Sequence, residues 1–138
     1  MKGIGNVTGM APNDWLALAE SDLAAAQAML ARAQRLYLQM GLQCHEAVGK
    51  ALTASYLKQH GVRPPETADL VKLLADLPGR ADLDARLLQT VEWLNTYPLL
   101  AARDAGDLGD LAALLTEDKT KELLDRTKEL VEWIKANL

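Results

Sequence analysis

Two histidines and one cysteine are the side chains of this 138-residue sequence best suited to move a proton or attack an electrophile, and Cys44 and His45 are neighbours. Adjacent residues on a helix point about 100° apart, so these two cannot form a nucleophile and base pair with each other. His45 is better read as a packed or interface histidine. His60 precedes Gly61, where an imidazolium suits the negative end of a helix. A single cysteine precludes an internal disulfide, and with two histidines it leaves too few ligands for an ordinary zinc site. The chain is expected to use no metal and no cofactor.

Glu46 and Lys50 lie four residues apart in the acid-first order that favours a helical ion pair, and Gln39 and Gln43 extend the same polar strip. A solvated face carrying an ordinary pair is the plain reading, and a contact site for a ligand or partner is the sharper one. Arg103 and Asp104 follow Tyr97-Pro98 in a glycine-containing stretch, and an arginine shown on a loop beside a helix end can hold a phosphate. No glycine-rich phosphate loop occurs. Trp15, Trp93 and Trp133 fall in three separate helices and are expected to anchor a core or an interface rather than stack bases. The net charge is −4, and the acids concentrate in the second half. A protein that coats DNA would show a basic face, so broad DNA binding is excluded.

The elements that must position these groups are helices. Leu and Ala supply 49 residues, Val and Ile only eight, and Phe none, a composition suited to helices packed through small side chains. Pro12-Asn13-Asp14 opens a first helix, with Asn13 or Asp14 accepting first-turn amides and an apolar row from Trp15 to Ala33. A second runs from about Leu36 to His60. It has two apolar rows, one through Tyr37, Met40, Cys44, Val48, Ala51 and Ser55, the other through Leu38, Leu42, His45, Leu52 and Tyr56. Two rows imply burial between neighbours, and the tight join makes these helices an antiparallel hairpin. Gly61 stops the second helix and Pro64-Pro65 enforces an extended connection. Thr67 is expected to cap a short helix. Asp82 is expected to begin another, with Leu83, Leu87, Val91, Leu94 and Tyr97 facing inward until Pro98, and Thr116 caps the last, with Glu117–Lys121 and Glu122–Arg126 pairs on its outer face. The expectation is an all-α antiparallel bundle of four to five main helices, with residues 13–138 one domain after a flexible N-terminus over 1–12. No stretch has the length and apolarity of a signal peptide or membrane span, so a cytoplasmic protein is expected.

Several stretches in this order resemble the HEPN (higher eukaryote and prokaryote nucleotide-binding) family. DWLALAESDLAAAQAML is similar to its Trp-led first helix, QCHEAVGKALTASYLKQHG to its second, and RPPETADLVKLLADL to its proline-rich turn and short helix. LNTYPLLAARDAGD is similar to its region of a tyrosine and an exposed arginine, and TEDKTKELLDRTKELVEWIK to its closing helix. The resemblance implies an up-and-down bundle, a homodimer, and a place beside a minimal nucleotidyltransferase in a toxin–antitoxin-like two-gene module. Some members are metal-independent ribonucleases, in which an arginine followed after four to six residues by a histidine steadies phosphate charge while the histidine moves a proton. Here Arg103 is followed at those distances by Asp107, Leu108 and Gly109, and Ala68 stands where the PETxDL turn commonly has a histidine. The implied role is therefore a non-enzymatic binding module. Its contacts with nucleotide, RNA or partner would fall at Arg103, Asp104, Tyr97, Glu46 and Lys50. The alternative is a ribonuclease whose proton shuttle comes from elsewhere, such as His45 across a dimer interface.

Overall fold

The computed structural model describes residues 10–31, 36–75, 77, 79–102 and 115–138, apart from the side chains of residues 30 and 31. Among these residues the fold is helical, without a strand. Helix α1 (Pro12–Ala31) takes proline at its first position, where the missing N–H has no partner in any helix. Asp14 does not accept a first-turn amide, as the sequence suggested. Its carboxylate reaches back to accept the N–H of Ala11 at 2.9 Å, as the third-position acid of a capping box does. Pro12 thus belongs to the helix rather than to a flexible N-terminus, and residues 1–9 lie outside the described ones.

Helix α2 (Tyr37–His60) ends at Gly61, whose φ of 73° is the left-handed conformation open to glycine, with its N–H donating to the Leu57 carbonyl at 2.8 Å. Both apolar rows are used because α2 packs against α1, α3 (Leu70–Leu74), α4 (Ala85–Leu94), α5 (Thr96–Ala101) and α6 (Glu117–Ala136). Asp22 meets Lys50 and Trp15 meets Arg63, so α1 and α2 run antiparallel. Buried alanines, Ala19 and Ala26 on α1 with Ala47, Ala51 and Ala54 on α2, let the helices approach closely. Gly41 carries the tightest contact, because a Cβ there would collide with the ring of Tyr97.

Two further helix starts differ in detail from what the sequence predicts. The cap of α3 is Asp69, which accepts from Val71 N–H at 3.0 Å, while Thr67, two residues earlier, accepts from Asp69 N–H at 3.1 Å. Asn95 reinforces that start from the end of α4, accepting the Leu70 N–H and donating to Asp69. Asp82 closes a short 3-10 turn (Arg80–Asp82), and α4 begins three residues later under Asp84, which accepts from Leu87 N–H at 2.8 Å. That helix stops at Leu94 rather than running to Pro98. Pro98 instead sits in the first turn of α5, where the lack of an amide is tolerated. Thr116 caps α6 as expected, accepting from Lys119 N–H at 3.2 Å, and both acid-first pairs form on its exposed face, at 3.6 Å and 3.4 Å. Buried Thr127 donates its hydroxyl to the Leu123 carbonyl one turn back, at 2.7 Å, and so meets its hydrogen-bonding need inside the helix.

Candidate functional site

Arg63 precedes Pro64-Pro65, and a residue before proline is held to extended conformations. The connection from Gly61 to Asp69 therefore cannot coil and instead doubles back along α2. From His60 to His45 the helix rises about 22 Å, and the seven or so extended residues that return from Gly61 to Ala68 cover about the same distance. The return is fixed at its far end by His45, whose Nε2–H donates to the Ala68 carbonyl at 2.8 Å. At the near end the Arg63 guanidinium lies over the Trp15 ring, 5.0 Å from its centroid.

Between α2 and this returning strap lies an open groove of about 540 Å³. Glu46, Lys50 and Thr53 line it from the helix, Arg63 and Glu66 from the strap, and Leu70 and Leu73 from α3. The volume falls in the range of small-molecule and peptide sites. Glu46 and Lys50 are thus brought to one groove but do not pair with each other. Lys50 donates instead to Asp22 of α1 at 2.7 Å, with both side chains largely shielded. The across-helix partner wins because partial burial strengthens a charge pair that water would screen on an open surface. Nothing in local sequence spacing could show Asp22, 28 residues away, as the partner. Arg63, which the sequence reading passed over, carried a signal in its place before two prolines.

Tyr97 does not belong to this groove. It is 1% exposed, enclosed by Gly41 and the core, and burial pushes its hydroxyl up to about 12, opposed in part by the neighbouring Trp93 indole. Tyr97 therefore packs the bundle rather than contacting a ligand from the surface. Cys44 is similarly inert. Burial raises its thiol to about 11 although the Thr127 hydroxyl and the Lys128 charge pull the other way, so it is neither a thiolate nor accessible. His45 is the packed histidine expected, 7% exposed. His60 is exposed at the end of α2 with its ring 4.3 Å from that of Tyr56. Trp15 is buried, while Trp93 is partly buried and flanked by the cationic ends of Lys119 and Arg126 on α6. Arg103 and Asp104 lie outside the described residues. Among the described residues no three potential metal ligands converge, and no helix is long and apolar enough to cross a membrane.

Two solved structures share this architecture. TT1696 from Thermus thermophilus is 24% identical, with 92% of this chain aligned to 98% of that one at a TM-score of 0.74. ST0689, an archaeal HEPN homologue, is 20% identical, with 92% of this chain aligned to 97% of that one at a TM-score of 0.67. No curated protein matches the sequence. The family model for the HEPN domain matches residues 12–137, from the first residue of α1 to just beyond the last of α6, and the chain belongs to the HEPN domain family.

Proposed function

We propose that this chain is a non-catalytic HEPN-type binding module acting in the cytoplasm. It would pair with a second copy of itself and with a minimal nucleotidyltransferase in a toxin–antitoxin-like module, and contact nucleotide or RNA near Arg103, Glu46 and Lys50. The observation that carries this reading is the state of the two histidines. General acid–base catalysis needs a ring nitrogen within reach of the substrate. His45 is buried with its Nε2 proton committed to the Ala68 carbonyl, and His60 lies exposed at the end of α2 beside Tyr56, outside the lining of the groove. No histidine follows Arg103 at ribonuclease spacing. An arginine alone can steady phosphate charge but cannot exchange a proton near neutral pH, because its pKa stays above about 12.

Incubation of the purified protein with single-stranded RNA, without added metal, tests the reading. The expected result is no cleavage, together with nucleotide or nucleotidyltransferase binding that Arg103→Ala weakens. Cleavage that Arg103→Ala abolishes would overturn it and make His45 the next residue to replace. Light scattering checks the pairing of copies, and a 15.0 kDa species alone at tens of micromolar would count against it.

A further inference from the structure

The groove along α2 is electrically polarised. Glu46 and Glu66 lie toward the end where His45 holds the strap, and Arg63 lies at the other end over Trp15. Between them Lys50 is neutralised by Asp22, and Leu70 and Leu73 form an apolar wall. The polar groups that could blur this pattern are already committed within the chain. Thr53 donates its hydroxyl to the Gly49 carbonyl at 2.8 Å and His45 donates to Ala68. Glu46, Glu66 and Arg63 make no ion pair among the described residues. A ligand therefore meets carboxylates at one end, a guanidinium at the other and aliphatic carbon between. Glu66 and Arg63, which carry the two signs of charge on the extended strap, are three residues and about 10 Å apart. A peptide in the polyproline II conformation advances about 3.1 Å per residue and presents the same face every third residue, so side chains three apart span about 9 Å.

We propose that this groove seats an extended segment of a protein partner bearing a lysine or arginine, an aspartate or glutamate three residues away, and an aliphatic residue between them. The proposal rests on the reading of the chain as a binding module and adds which element of the partner it grips. The basic side chain meets Glu46 and Glu66, the acidic one meets Arg63, and the aliphatic one covers Leu70 and Leu73. The strap is already ordered by its two proline rings and by His45, so seating a peptide against it loses little further freedom. A nucleic acid strand fits this groove poorly, because its phosphates would repeat along the carboxylate end as well.

Calorimetric titration of the full chain with the capped tetrapeptide Lys-Leu-Ala-Glu tests the proposal, alongside peptides with glutamine replacing either charged residue. Each replacement is expected to weaken binding about twofold to fivefold, the range of an exposed charge pair. Glu46→Gln combined with Glu66→Gln should remove the advantage of the peptide lysine and leave that of its glutamate. Arg63→Gln should do the opposite, a coupling that a double-mutant cycle reads directly. Circular dichroism confirms that the variants fold. No binding at millimolar peptide, or losses that simply add, would overturn the proposal. If the wild-type chain then still retains a nucleotidyltransferase, only this docking site falls. If it retains neither, the binding-module reading falls with it.

Discussion

Gly41 and Glu46 stand five residues apart on α2, yet the first lies against the Tyr97 ring with no room for a methyl group and the second faces an open groove. One side of the helix is filled by Cys44, Val48, Ala51 and Leu52, all 1% exposed or less. The other is lined by charges whose partners are few and partly wet. Packing sets the energetics of the first side and electrostatics those of the second. The two should respond to different perturbations: volume and alkali for the core side, salt and charge substitution for the groove side.

Alkali is expected to have the largest effect, and chiefly through the core side. Cys44 and Tyr97 have ordinary values of 9.0 and 10.0, raised by burial to about 11 and about 12. The folded state therefore holds these protons after the unfolded chain has released them. Stability is independent of both groups below about pH 9 and falls from there to about pH 12, by about 2–3 kcal/mol for each group taken alone. Urea denaturation across that range should show the decline, and Tyr97→Phe should flatten its upper part. An unchanged slope in that variant would mean that Tyr97 is reached by water in solution.

The next effect is Gly41→Ala. At an ordinary helix position this change stabilises by about 1 kcal/mol, but here the new methyl group meets the Tyr97 ring, and a net loss of about 2–3 kcal/mol is expected. Tyr97→Leu in the same chain should recover part of it, a sign of direct contact that double-mutant analysis of urea midpoints would read. A smaller effect belongs to the groove side. Asp22→Ala leaves Lys50 shielded without a partner and is expected to cost about 1–2 kcal/mol, less in high salt. The smallest is Lys121→Ala on α6, where the exposed pair with Glu117 at 3.6 Å is worth a few tenths of a kcal/mol. A loss at Lys121 equal to that at Asp22 would erase the distinction between shielded and open charge pairs.

The core side was also the more legible in sequence. Two apolar rows at helical spacing, Gly61 as a stop, Thr116 as a cap and the two pairs on α6 follow from interactions within a few residues, and sequence order carries those directly. The groove was legible only in its parts. Glu46 and Lys50 were visible as a strip and Pro64-Pro65 as an extended piece, but the partner of Lys50 and the His45 tether join segments more than twenty residues apart. Tyr97 was legible as the last inward-facing residue before Pro98, but sequence did not show how deep it lies or that Gly41 faces it. The chain starts α5 there and turns the ring onto Gly41.

The uneven distances in sequence among the partners of α2 also bear on the order of folding. The α1–α2 hairpin joins segments that are consecutive in the chain, so bringing them together closes only a short loop, whereas seating α6 on α2 closes a loop of more than fifty residues. Closure entropy grows with loop length, and contacts local in sequence form faster. The hairpin is expected to form in the rate-limiting step and α6 to dock afterwards. Ala26→Gly should then slow refolding, while Ile134→Val should mainly speed unfolding.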